Sequence, residues 1–144
     1  REEAKRALAE LRDLARGIRP GMLAERGLDA AIHALAARSP VPAKATVDVP
    51  RRPPTNVEST AWFVVSEALA NTAKHSSAKR ATVWVTMRND HLHVEVVDDG
   101  RGGADPRGSG LRGLAQRVEA LDGSLEVNSP PGGPTVVRAV LPCV

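Results

Sequence analysis

The apolar positions of this chain alternate between helical and strand spacing, and each switch of period marks an element. Ala4, Leu8, Leu11, Ala15 and Ile18 recur at 4-3-4-3 intervals between charged residues, a seam that predicts a helix over 1–19. Arg19 precedes Pro20, which ends it. Fewer than three heptads cannot hold a coiled coil alone. The seam therefore reads either as the end of a longer helix or as an ordinary amphipathic helix on its own domain. A short helix is predicted over 28–38, a strand over 45–49, and a proline-rich connection over 51–54. A long helix follows over 55–75, with Trp62, Val65 and Leu69 on one side, flanked by Ala61, Ala68 and Thr72 as a core face.

Period-2 alternation then predicts strands over 82–87 and 92–98, joined by an Asn89-Asp90 turn. A glycine-rich loop spans 99–110, and a helix over 111–121 is stopped by Asp122-Gly123. Strands at 124–127 and 135–141 flank a Pro/Gly loop over 129–134. Helices followed by a helix and a mostly antiparallel sheet make an α+β, two-layer arrangement.

Composition narrows the class. The 144 residues are 42% hydrophobic and 26% charged, which suits one domain with one packed core. No run of about 18 apolar residues exists to span a bilayer, and no basic-then-apolar segment opens the chain. Cys143 is the single cysteine, so an internal disulfide and a multi-cysteine zinc site are excluded. The net charge of +3 lies wholly in residues 1–60, with 11 basic and 8 acidic side chains; residues 61–144 balance at nine of each. With only Trp62, Phe63 and Trp84 as aromatics, a basic, base-stacking nucleic-acid surface is disfavoured.

Three constellations can do chemistry. Glu67, Asn71 and Lys74 stand at i, i+4 and i+7 of the long helix, within about 60° of one another at 100° per residue. Their stripe lies away from Trp62, Val65 and Leu69. An amide oxygen suits a hard divalent cation and an ammonium suits phosphate, although polar residues on such a face are ordinarily just solvated. Asp98 shares the parity of Leu92, Val94 and Val96, so its carboxylate points inward, where it needs a donor such as an amino group. Asp99 points out; an acidic turn closing a strand is the plain alternative for the pair. Gly108-Ser109-Gly110-Leu111-Arg112-Gly113 follows a loop rather than a strand, and no acidic residue stands about 20 positions on, so a dinucleotide fingerprint is a poor reading. What remains is a glycine-rich entry to a helix whose free N–H groups favour an anion, with Ser109 as its cap. His91 and His93 share a strand face without a third metal ligand. His75 sits at a helix end, no G-x-S-x-G elbow is present, and Cys143 has no evident role.

The order of these pieces is more specific than any one of them. Glu67-Ala-Leu-Ala-Asn71-Thr-Ala-Lys74-His75 resembles the N box of the GHKL ATP-binding superfamily (gyrase, heat-shock chaperone, histidine kinase, MutL). Asp98-Asp-Gly100-Arg-Gly102 resembles its G1 box, and Gly108-Ser-Gly110-Leu111-Arg-Gly113-Leu-Ala-Gln-Arg117 its G2 box. Thr135 resembles the threonine that assists adenine binding. Leu14-Ala-Arg-Gly17-Ile18-Arg19-Pro20 with Gly27-Leu28 is similar to the dimerisation-domain exit of sensor kinases related to the nitrate and membrane-fluidity sensors.

The resemblance implies a Bergerat-type sandwich: a mixed, mostly antiparallel sheet covered by helices on one face, with ATP held under a lid. It implies Mg²⁺ on Asn71, phosphate on Lys74 and His75, and an activating or orienting role for Glu67. Asp98 would take the adenine amino hydrogen, assisted by Thr135. Gly100 and Gly102 would allow close approach, and Gly108, Gly110, Leu111 and Gly113 would form the lid hinge and phosphate cradle.

None of His33, His75, His91 or His93 stands in the context of a phosphoacceptor. Residues 1–20 are then expected to be the end of a dimerisation helix, and 21–144 the catalytic domain of a two-component histidine kinase that phosphorylates a histidine absent from this chain. A monomeric fragment, a homodimeric parent protein, a response-regulator partner and a cytoplasmic position, with a possible membrane anchor on the parent, complete that expectation. An anti-sigma-factor-type serine kinase on the same fold is the alternative. A degenerate binding module is opposed by the intact Glu67, Asn71, Asp98 and glycines. Pro134 before Thr135 departs from the usual glycine.

Overall fold

The computed structural model describes residues 21–75, 77–105 and 108–143. The seam over 1–19 and the proposed boundary at residue 20 lie outside them.

Helix α1 (Gly21–Arg38) is two helical segments meeting at Gly27, whose φ of 86° and ψ of −178° are not helical. Glycine takes that conformation without the Cβ penalty other residues meet. Only the second segment was legible as a periodic pattern, because the first is under two turns, too short to show a period. Strand β1 (Ala43–Asp48) leads through the proline connection to helix α2 (Thr55–His75). Strands β2 (Ala81–Arg88) and β3 (His91–Asp98) form a hairpin. Its turn residues Asn89 and Asp90 both have positive φ, 50° and 59°, the geometry of a two-residue turn that follows the natural strand twist. Helix α3 (Ser109–Ala120) and strands β4 (Ser124–Asn128) and β5 (Thr135–Pro142) complete the chain. Among the described residues no helix is long and apolar enough to cross a membrane.

The sheet order is β1-β2-β3-β5-β4. β1 runs parallel to β2, and the other neighbours are antiparallel. One face is packed by helices; the other is open, with Trp84 39% exposed on it. Leu92, Val94, Val96 and Asp98 are buried on the packed face. A one-residue slip of β3 would turn all four outward, forfeiting about 1.5–3 kcal/mol for each large apolar side chain, so the register is strongly specified.

Trp62, Val65 and Leu69 face the core with Ala61, Ala68 and Thr72, as their spacing requires. Phe63 and Val64 are buried as well, because α2 is flanked by α1 and α3 in addition to the sheet. The Arg117 guanidinium lies 4.1 Å from the Phe63 ring centroid, joining α3 to α2. At its other end α3 closes with the Gly123 N–H on Val118 O and the Asp122 N–H on Glu119 O, and the left-handed residue there is Asp122, at φ 61°. Gly123 is required for a different reason: a Cβ there would stand 2.5 Å from the Val140 carbonyl.

A part-buried ion pair ties the start of α2 to α1. Glu58 is 1% exposed. Arg52 reaches its two carboxylate oxygens at 3.1 and 3.3 Å, and also donates to the carbonyls of Leu23 and Ala24 at 2.9 and 3.0 Å. The cation thus sits at the C-terminal end of the first α1 segment and the anion in the first turn of α2, each favourable to its helix dipole.

Candidate functional site

A cavity of about 630 Å³ opens between α2, the ends of β3 and β5, and the start of α3, a size that suits a small-molecule ligand. Glu67, Asn71 and Lys74 line one wall. The stripe that a bare helical pattern would leave to solvent therefore lines a partly open cavity. Lys74 is exposed at its edge, while Glu67 and Asn71 are half-buried.

Asp98 lines the wall opposite and is 4% exposed. Its Oδ1 accepts the Gly100 N–H at 2.9 Å, and its Oδ2 accepts the Thr72 hydroxyl at 2.9 Å. Each carboxylate oxygen keeps a further lone pair for a ligand donor. Thr72 was visible in the sequence only as a core-face residue; its hydroxyl supports the acid that lines the cavity. Asp99 points to solvent, and its Oδ1 accepts the N–H groups of Lys79 and Arg80 at 2.8 and 3.0 Å. The Arg80 amide, then that of Lys79, holds its carboxyl below the usual range.

The glycines divide by role. The place of a Cβ on Gly102, at φ 68°, is filled by the Pro130 carbonyl, and that of a Cβ on Gly133 by the Gly100 carbonyl. The loop after β3 and the β4–β5 loop therefore interlock backbone to backbone. The Gly132 N–H donates to Arg101 O at 2.7 Å, and the Gly103 N–H to Ser129 O at 3.0 Å. Gly102 lines the cavity, yet its missing side chain makes room for protein as well as for any ligand. Gly102→Ala is accordingly expected to destabilise the nucleotide-free protein by about 2 kcal/mol or more, read as a lowered denaturant midpoint.

Helix α3 begins at the mouth. Its N-cap is Gly108, which makes no side-chain cap bond. This corrects the expected Ser109 cap: Ser109 is the first helical residue, so the cap falls one position earlier. The first-turn N–H groups have no intrahelical partners and face an anion-favouring field. Gly110 packs directly against the Glu67 carboxylate, so this start of α3 and the α2 stripe meet. Gly108, Gly110, Leu111 and Thr135 line the cavity. Gly100 and Gly113 stand outside the lining; Gly100 acts through its N–H on Asp98. The side chain of His75 lies outside the described residues. Thr135 pairs with Asp98 across β3 and β5, and its hydroxyl is 2.6 Å from that of Ser129. Arg101, unassigned from sequence, also lines the cavity; its place after Gly100 was the available signal.

An inward acid on one wall, a carboxylate–amide–ammonium stripe on the other and a glycine-rich helix start at the mouth surround one cavity. The family model for histidine kinase-, DNA gyrase B-, and HSP90-like ATPases matches residues 56–144, and the chain belongs to that family. Membership implies ATP binding. Two curated relatives are the Bacillus subtilis sensor histidine kinases YxjM, 37% identical over 73 residues, and YdfH, 35% identical over 77. The matches cover 50% and 47% of this chain but 18% of each relative. Among solved structures, the histidine kinase domain of the Erythrobacter litoralis EL346 blue-light activated histidine kinase is 26% identical with a TM-score of 0.61, covering 82% of this chain and 58% of that one. The mycobacterial sensor histidine kinase MprB, 22% identical with a TM-score of 0.56 over 80% of this chain and 92% of that one, shares the fold.

Proposed function

We propose that this chain is the ATP-binding catalytic domain of a two-component sensor histidine kinase of the nitrate-sensor and membrane-fluidity-sensor type. It passes the γ-phosphate of ATP to a histidine on the dimerisation domain of the parent protein, from which a response regulator takes it. The observation that carries this reading is the meeting of Glu67, Asn71 and Lys74 with Asp98 and the α3 start around one cavity. The relatives named above favour it over a serine kinase on the same fold.

The residues divide the work. Asp98 accepts the adenine amino hydrogen, its carboxylate held by Gly100 and Thr72. Thr135 stands beside it on the neighbouring strand. Lys74 and the free N–H groups at the start of α3 hold phosphate oxygens. Asn71 and Glu67, one turn apart, present an amide and a carboxylate oxygen to the same space, a hard donor set that fits Mg²⁺ with its remaining positions left to water and phosphate. Bound there, the ion would neutralise phosphate charge. Glu67 is also placed to orient an incoming imidazole, and alignment with charge neutralisation is most of what phosphoryl transfer requires. The parent protein is expected to be a homodimer, and this chain alone a monomer.

The test supplies γ-labelled ATP and Mg²⁺ to this chain together with the dimerisation domain of its parent protein. Label that is acid-labile and base-stable is the expected result, the signature of phosphohistidine. Acid-stable label on serine would favour the alternative kinase, and no transfer despite bound ATP would refute the histidine-kinase reading.

A further inference from the structure

Ser129 lies in the β4–β5 loop and does not line the cavity, yet it touches both structures that shape the adenine end. Its Oγ accepts the Ala104 N–H at 2.9 Å and stands 2.6 Å from Thr135 Oγ1. Its carbonyl accepts the Gly103 N–H at 3.0 Å. A hydroxyl has one proton and two acceptor lone pairs. A separation of 2.6 Å holds one proton between the two oxygens, so one hydroxyl donates and the other is released to donate elsewhere.

The direction follows from the chain of bonds. An oxygen that accepts a hydrogen bond becomes a better donor. Ser129 already accepts from Ala104, so the favoured sequence runs from the Ala104 N–H to the Ser129 hydroxyl and on to Thr135. Thr135 then accepts from Ser129 and has its own proton to offer. Directly paired residues of neighbouring strands project to the same face, so Thr135 presents that proton beside the Asp98 carboxylate. The wall then reads acceptor next to donor.

On the ATP-binding reading of this cavity, we infer that Ser129 is a positioning residue for purine selection. It sets the Thr135 hydroxyl as a donor, matched to a base that carries an exocyclic amine next to an unprotonated ring nitrogen. Reversed, the Thr135 proton would point at Ser129, and the wall would offer acceptors only.

The probe pair is ATP and 1-deaza-ATP, in which that ring nitrogen is replaced by C–H. Calorimetry on wild type is expected to show ATP bound about fivefold more tightly, the worth of one net hydrogen bond. In Ser129→Ala both affinities fall, because the Ala104 N–H loses its acceptor, and the preference for ATP shrinks, because no accepted hydrogen bond holds the Thr135 proton toward the base. Ser129→Thr keeps the hydroxyl and restores the preference. Equal weakening of both ligands in Ser129→Ala, with the preference intact, would show a merely structural role and overturn the inference, as would a wild type indifferent to the ring nitrogen. A folded wild type that binds neither nucleotide overturns the ATP reading itself, and this inference with it.

Discussion

Asp98→Ala is expected to weaken binding of a nonhydrolysable ATP analogue with Mg²⁺ about a hundredfold, measured by calorimetric titration. The carboxylate is buried; on the proposed reading it accepts from the adenine amine outward, and inward it anchors the Gly100 N–H and the Thr72 hydroxyl. A hydrogen bond to a charged group contributes about 1.5–3 kcal/mol, and about 3 kcal/mol corresponds to that hundredfold change. The Gly100 N–H left without its acceptor lowers the stability of free and bound protein alike. Asp98→Asn separates the two effects. Its amide oxygen can still accept from Gly100, so the loop after β3 persists, while its NH₂ group confronts Thr72 and the ligand amine. A folded Asn variant that binds as tightly as wild type would refute the adenine role.

The second large effect concerns stability. Arg52→Ala is expected to cost about 2 kcal/mol, the worth of a hydrogen bond to a charged group. Glu58 stays 1% exposed, and the carbonyls of Leu23 and Ala24 lose their donor in the same step. Glu58→Gln should cost less, because the Arg52 side chain is half exposed and water can serve it. Urea denaturation reads both. Neither residue lines the cavity, so nucleotide affinity per folded molecule should be unchanged in each. An Arg52→Ala midpoint matching wild type would mean that the pair contributes nothing net, as many ion pairs do.

Most of the fold was legible because its signals are local. The alternation of 92–98 places Leu92, Val94, Val96 and Asp98 on one face whatever surrounds them, and burial follows that parity. The helical spacing of Glu67, Asn71 and Lys74 likewise survives any context, although spacing alone cannot tell a solvated stripe from a cavity wall. That distinction depends on α3 standing across from α2. What was not legible is non-local. Arg52 and Glu58 look like ordinary surface charges until α1 folds over them. Ser129 looks like a loop residue until the interlock brings it to Ala104 and Thr135. The break at Gly27 and the cap at Gly108 were displaced or missed because one residue of backbone conformation has no periodic signature.

The strand order has a consequence for biosynthesis. β5 emerges from the ribosome after β4, yet it lies between β4 and β3 and is the link that joins β4 to the sheet. Until it inserts, Thr135 has no place beside Asp98, and the β4–β5 loop cannot lock against Gly100 and Gly102. A nascent chain therefore exposes the inner edge of β3 and lacks one wall of its cavity until β5 has been made. Nucleotide cannot help the early elements to fold; it can only reward a chain whose five strands are all in place.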